Sequence, residues 1–104
     1  MSLPKKIKVG AMRFEVRLAS ELADDGKYGA TNVWGQSILL QPGQAADFER
    51  DTLLHEVLHA IVAESGLRAW FTDQDKEEEL IRVLAPALLE VLRENKSLVG
   101  YLCG

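Results

Sequence analysis

The sequence predicts an α+β fold in which a small antiparallel or mixed sheet is followed by two helices. Two observations support this prediction. The first half of the chain alternates apolar and polar residues with the period of a strand, and the second half repeats apolar residues at helical spacing. The chain has 104 residues, of which 47% are hydrophobic. That length suits one hydrophobic core and is too short for two ordinary domains, so we expect a single domain over residues 1–104.

Four short strands are predicted before the first helix. Alternating apolar and charged residues indicate a half-buried strand pair that turns near Gly10, and Pro42-Gly43 ends the last strand. The segment between the second and third strands is polar and is predicted to be a connection. The predicted strands cover residues 7–9, 12–18, 31–34 and 37–41.

Two helices are predicted after the strands. The first extends from about Asp47 to Glu64 and stops before Gly66, a residue suited to the left-handed position after a helix. The second extends from about Asp75 to Glu94, and a kink or a break is expected at Pro86. The residues expected on the buried sides are Leu54, Leu58, Ile61 and Val62 in the first helix and Leu80, Ile81, Leu84, Leu88, Val91 and Leu92 in the second.

The composition of the chain limits which binding partners and which cellular compartment we expect. The net charge of the chain is −4, and its sequence has no basic stripe that could bind the phosphates of nucleic acid. No apolar run reaches the roughly 18 residues of a membrane span, and the N-terminal residues lack the apolar stretch of a signal peptide. Cys103 is the single cysteine, so no internal disulfide can form. We therefore expect a cytoplasmic protein without nucleic-acid or membrane partners.

The segment His55-Glu56-Val57-Leu58-His59 reads as HExxH and contains both histidines of the chain. Imidazoles four residues apart on a helix stand on one face, with Cβ atoms about 6 Å apart, so both can reach one Zn²⁺. Two ligands with a carboxylate between them are what a metallopeptidase requires, because the carboxylate can accept a proton from activated water. The motif predicts His55 and His59 as zinc ligands and Glu56 as the general base for hydrolysis of a peptide bond.

A catalytic zinc needs a third protein ligand, and with no third histidine it must be a carboxylate. The strongest candidates lie at the start of the second helix, whose phase favours Glu77 and Glu78 about equally and places Glu79 on the outer side. The helix macrodipole could also explain this acidic cluster without a metal. The remaining carboxylates considered are Asp73 and Asp75, which come next, and Glu64, which is expected to be solvated.

Residues 52–61 and 77–89 together resemble small zincin-like proteins of phages and prophages. The chain is also similar, more loosely, to ImmA/IrrE-type metallopeptidases and to minigluzincins. The resemblance implies a minimal zincin-like fold with Zn²⁺ held by His55, His59 and Glu78, and with Glu56 as the catalytic carboxylate. It also implies that the strand Ser37 to Gln41 lies at the edge of the active-site cleft. The chain departs from many glutamate-type zincins at Arg82, where they carry an acidic residue.

Three functions follow from these patterns. The first is a zinc metallopeptidase that acts on a peptide or protein substrate, held as an added strand beside Ser37 to Gln41. The second is a zinc-stabilised, non-catalytic binding or regulatory module of phage or prophage origin, and the third is a metal-free structural protein with a fortuitous motif. Tyr28, Tyr101 and Arg82 could each donate to an oxyanion, although core or surface roles are expected for them.

Overall fold

A computed structural model describes residues 2–71 and 73–104 and is α+β, with a four-stranded mixed sheet followed by helices. The α+β prediction, with the sheet before the helices, is confirmed. A third helix at the end of the chain was not predicted. The elements are β1 (Lys6–Val9), β2 (Met12–Leu18), a 3₁₀ helix (Ser20–Asp25), β3 (Gly29–Asn32), β4 (Ser37–Leu40), α1 (Ala46–Ser65), a second 3₁₀ helix (Leu67–Trp70), α2 (Gln74–Glu94) and α3 (Lys96–Cys103).

The strand order in the sheet is β1-β2-β4-β3. β1 and β2 form an antiparallel hairpin through Gly10, which has a φ of +58°. β4 pairs parallel with β2 and antiparallel with β3, so β4 is internal and β3 is an edge. The prediction that Ser37 to Gln41 forms the exposed edge is therefore wrong. The physical reason is that Ile38 and Leu40 are fully buried, and burial of that kind suits an internal strand.

The core lies between the sheet and α1. Phe14, Ile38 and Leu40 are buried in the sheet, and α1 contributes the fully buried Ala60. The predicted stripe on α1 is partly wrong, because Ile61 is 38% exposed. The buried positions of α1 are Thr52, Glu56, Ala60 and Val62. Three of these four side chains are small or polar, so apolar spacing alone could not identify the buried face.

α2 packs on α1 through a narrower strip than predicted. Ile81 and Ala85 are buried, whereas Leu80, Leu84 and Val91 are 49%, 41% and 46% exposed. The helix is continuous through Pro86, so the predicted break does not occur. Pro86 is exposed, and the carbonyl that loses its hydrogen bond to the proline can therefore face water. Within the described residues, no helix is both long enough and apolar enough to cross a bilayer.

Candidate metal centre

His55 and His59 project from one face of α1, one helical turn apart. Their Nε2 atoms are 3.2 Å apart, and the ring centroids are 4.9 Å apart. The two side chains are 19% and 18% exposed, so they are mostly buried but remain accessible to solvent. The helix therefore presents two imidazole nitrogens to a single point in space.

Glu78 of α2 lies against both of these nitrogens. Its Oε1 is 2.8 Å from Nε2 of His55, and its Oε2 is 2.8 Å from Nε2 of His59. One ligand atom from each of the three residues lies within 4.8 Å of the other two. His55, His59 and Glu78 therefore form a group that could hold a metal ion. Glu78 is 40% exposed, which leaves one side of the group open.

The spacing of these atoms suits a tetrahedral ion. A tetrahedral zinc site with bonds of about 2.0–2.1 Å places neighbouring ligand atoms about 3.3 Å apart. The separation of 3.2 Å between the Nε2 atoms of His55 and His59 matches that edge. The contacts of 2.8 Å from Glu78 are shorter by about half an ångström, a difference that a small rotation of its partly exposed side chain removes.

Glu77 has a different role from its neighbour. Its Oε2 lies 2.7 Å from Nδ1 of His59, and its side chain is only 8% exposed. Arg68 approaches from the other side, with Nε 3.8 Å from Oε1 of Glu77. Spacing left Glu77 and Glu78 as alternatives, and the structure brings both to the same ring, one at each nitrogen. A carboxylate on the outer nitrogen of a histidine ligand is the usual support of a metal site.

The contact with Glu77 also affects the protonation of His59. An ionised carboxylate only accepts hydrogen bonds, so Nδ1 of His59 must donate to Oε2 of Glu77. In the neutral ring, Nε2 then carries a lone pair and faces the Oε2 of Glu78, which is another acceptor. Two acceptors at 2.8 Å need either a metal ion or a proton between them.

Glu56 is buried beside the histidines. Its Oε1 accepts a hydrogen bond of 2.7 Å from the hydroxyl of Thr31, which also lies 3.0 Å from the carbonyl oxygen of Glu56. Burial raises the pKa of Glu56, and the charge of Glu78 adds to that rise. The hydrogen bond from Thr31 and the charges of His59 and His55 oppose it. The sequence offered no signal for Thr31, because its role depends on β3 lying over α1.

Gly29 permits β3 to approach α1 this closely. A Cβ at Gly29 would lie 2.9 Å from Cγ2 of Thr52 and 3.0 Å from both Cγ and Oε2 of Glu56. Such contacts are shorter than ordinary van der Waals separations, so a larger residue would displace either the strand or the side chains of Thr52 and Glu56. The glycine therefore fixes the distance between the edge strand and the carboxylate.

The other predicted carboxylates do not join the histidine pair. Asp73 caps α2 by accepting the backbone N–H of Lys76 at 2.8 Å, which explains its position without a metal. Glu64 is half-buried rather than solvated, and its Oε1 lies 3.4 Å from the backbone nitrogen of Ala11. Glu79 is exposed, and Asp75 lines the cleft at the start of α2.

Two of the three candidate oxyanion donors lie near the histidines, and the third lies on α3. Tyr101 is 83% exposed on α3, and Tyr28 packs edge-to-face on Phe48 with ring centroids 5.0 Å apart. Arg82 lies 4.0 Å from Glu78, between Nη2 and Oε1. Among these three candidates, Tyr28 and Arg82 line a cavity that also contains His55 and Glu78.

A cleft of about 540 Å³ passes over the histidine pair, between β3 and the start of α2. Gln41 donates its backbone N–H to the carbonyl of Tyr28 at 2.8 Å, and this sets the alternation of hydrogen bonds along β3. The backbone groups of Gly29 and Thr31 therefore point away from β4, toward the open edge. Both residues line the cleft.

The chain matches no family model, and it matches neither a curated protein nor a solved structure. The interpretation of the site therefore depends on its own geometry and chemistry.

Proposed function

We propose that this protein is a zinc-dependent metallopeptidase in which His55, His59 and Glu78 hold the ion and Glu56 is the general base. The observation that carries the proposal is the arrangement around His59. Glu77 accepts a hydrogen bond from one ring nitrogen, and the other nitrogen converges with His55 and Glu78 at distances of 3.2 and 2.8 Å.

The donor set supports zinc over harder cations. Two imidazole nitrogens with one carboxylate oxygen are the ligands of many catalytic zinc sites, whereas Mg²⁺ and Ca²⁺ prefer oxygen ligands throughout. Three protein ligands leave a fourth tetrahedral position free. The partial exposure of Glu78, at 40%, supports access to that position from solvent.

Bound at these ligands, zinc supplies Lewis-acid chemistry: it polarises a carbonyl and makes water acidic enough to lose a proton near neutral pH. Glu56 accepts that proton and later delivers it to the leaving amine. Thr31 holds Oε1 of Glu56 through its hydroxyl, so the other oxygen stays available for proton transfer.

β3 offers a place for an extended peptide. The free backbone groups of Gly29 and Thr31 can pair with a substrate strand that adds to the edge of the sheet. This edge replaces Ser37 to Gln41 as the proposed binding strand. A peptide bound there passes directly over the histidine pair, because the same cleft contains His55 and His59.

A second candidate is a zinc-stabilised module without turnover. The observation in its favour is the narrow apolar contact of α2, in which Ile81 and Ala85 are the buried apolar side chains. An ion that joins Glu78 to the histidines of α1 would fasten α2 to the rest of the fold. In that case zinc contributes to folding rather than to chemistry.

Two measurements test the proposal. Protein purified without added metal should contain about one zinc per chain by elemental analysis, and loss of the metal on chelation should be reversible. Incubation with a pool of unstructured peptides should then give new termini by mass spectrometry. Glu56→Gln should retain zinc and give no cleavage, because the amide cannot accept the proton. Zinc without cleavage in the wild type would favour the non-catalytic module, and protein without zinc would favour a metal-free network in which a proton lies between His59 and Glu78.

A further inference from the structure

We propose that the cavity beside the metal centre receives a lysine or arginine side chain of the peptide substrate, with Asp51 as the recognising carboxylate. This inference rests on the proposed peptidase function and adds a side-chain preference to it. The cavity has a volume of about 470 Å³ and is lined in part by Tyr28, Phe48 and Asp51.

The position of the cavity places it next to the scissile bond. Phe48, Asp51 and Thr52 precede His55 by seven, four and three residues, so they lie on the same face of α1. The cavity therefore continues from the metal ligand toward the start of the helix. It also contains His55, Glu56 and Glu78, which belong to the candidate metal centre. A substrate residue adjacent to the cleaved bond can reach it.

The aromatic wall favours a positively charged side chain. Tyr28 and Phe48 pack edge-to-face at an interplanar angle of 76°, and they remain 57% and 47% exposed. Their uncovered ring surfaces can hold the apolar stem of a lysine or arginine. Aromatic faces also attract the cationic end of such a side chain.

Asp51 supplies the carboxylate that a cation needs. Its Oδ1 is buried, and among residues 2–71 and 73–104 no hydrogen-bond donor reaches it. Asp51 lines the cavity, and its negative charge, which no donor at Oδ1 among these residues offsets, attracts a cationic side chain that enters there.

Asp47 provides the contrast one turn earlier on α1. It is contacted by two arginines, with Nη1 of Arg50 and Nη1 of Arg93 each 3.1 Å from its Oδ1. These arginines therefore serve Asp47 and not Asp51. Within the described residues, Asp51 forms no ion pair of this kind.

Two positively charged residues, Lys27 and Arg82, also line the cavity, and their positions decide whether a cationic side chain can bind there. Arg82 lies 4.0 Å from Oε1 of Glu78, which puts its charge at the metal side of the cavity. Lys27 also lines the cleft over the histidines, so it stands where the two spaces join. Both cations thus lie at the metal side of the cavity, beside the carboxylates of Glu56 and Glu78, and Asp51 is the carboxylate one turn farther toward the start of α1. A long side chain with a terminal cation fits this order.

The experiment uses zinc-loaded full-length protein and peptides that differ only in the residues flanking the cleaved bond. The varied residue is lysine, norleucine or glutamate, tested on either side of the bond. We expect kcat/KM to be about tenfold higher for lysine than for norleucine on one side, and lower still for glutamate. Asp51→Asn should abolish the preference for lysine while cleavage of the norleucine peptide continues. Asp47→Asn is the matched control, because it removes the same charge one turn away and should keep the preference.

Equal rates for lysine and norleucine, a preference for glutamate, or a lysine preference that persists in Asp51→Asn would each overturn the inference while leaving the peptidase proposal intact. If the protein binds zinc but cleaves none of the peptides, a binding measurement tests the inference instead. Lysine hydroxamate should then bind the zinc-loaded protein about tenfold more tightly than norleucine hydroxamate by calorimetry, and equal affinities would overturn the inference. Absence of zinc from the purified protein would overturn the proposed function together with this inference.

Discussion

Glu77 contacts Nδ1 of His59 at 2.7 Å, whereas the other ring nitrogen of His59 faces His55 and Glu78. This contact fixes the orientation of the imidazole, because Nδ1 donates a hydrogen bond to a buried carboxylate. We therefore expect Glu77→Gln to weaken zinc affinity about 10- to 100-fold, as measured by competition with a chromophoric chelator. Glu79→Gln removes the same charge from an exposed neighbour and should change the affinity little. Equal affinities for the two variants would contradict the supporting role of Glu77.

Zinc should stabilise the fold through Glu78. A ligand at about 100 times its dissociation constant adds about 2.7 kcal/mol to the free energy of unfolding, which for a domain of this size raises Tm by about 10 °C or more. This shift should be visible by calorimetry in the wild type and should largely vanish in Glu78→Gln. Retention of the full shift in that variant would mean that the ion is held without α2.

Thr31 should act as a positioning residue for Glu56. Thr31→Val keeps the shape of the side chain but removes the hydroxyl that contacts Oε1 of Glu56 at 2.7 Å. We expect kcat to fall about tenfold or more with little change in KM, because the base loses its orientation while the peptide still binds. Zinc content should stay the same. Thr31→Ser restores the hydroxyl and should recover most of the rate. A serine variant as slow as the valine variant would point to packing by the methyl group instead.

Gly29 should be intolerant of even one added methyl group. Its Cβ would meet Thr52 and Glu56 at 2.9–3.0 Å, and forcing such contacts usually costs about 1–3 kcal/mol. We expect Gly29→Ala to lower Tm by about 4 °C or more in thermal unfolding. Gly100→Ala is the matched control, since a Cβ there meets no atom within 4 Å, and alanine favours a helix. A variant at Gly29 as stable as the control would show that β3 can move away from α1 freely.

The buried strip of α2 should appear in a comparison of two neighbouring substitutions. Ile81 is 1% exposed and Leu84 is 41% exposed. Ile81→Ala should cost about 2–5 kcal/mol in denaturant unfolding, because it leaves a cavity, while Leu84→Ala should cost less than about 1 kcal/mol. The reverse order would mean that the apolar spacing of the sequence identifies the buried face correctly.

Local patterns predicted the elements of this fold better than their arrangement. The glycine after α1 marked the end of that helix, since Gly66 adopts the left-handed conformation. Strand order was not accessible, because the parallel pairing of β2 with β4 depends on contacts between distant residues. The four apolar or hydroxyl residues of β4 did contain a signal for an internal strand, whereas Gly29 to Asn32 have little to bury.

The sequence could predict which residues of the candidate site come together within one helix, but not which residues other elements bring to it. His55, Glu56 and His59 share one turn of helix, so their spacing alone brings them together. The phase of α2 could not separate Glu77 from Glu78, because neighbouring residues on a helix differ by only about 100°. The structure accounts for this ambiguity, since both carboxylates contact the same imidazole. The roles of Thr31 and Asp51 depend on how separate elements pack, so no sequence motif identifies these residues.

The two edges of the sheet differ in how they resist association. β1 carries the exposed lysines Lys6 and Lys8, whose charges discourage pairing with another chain. β3 consists of glycine, alanine, threonine and asparagine, so it carries no charged side chain that would discourage pairing with another chain. The edge proposed to accept substrate is therefore also the edge that carries no charge against pairing with another chain. β3 is only four residues long, and this short length limits its pairing with strands of other chains.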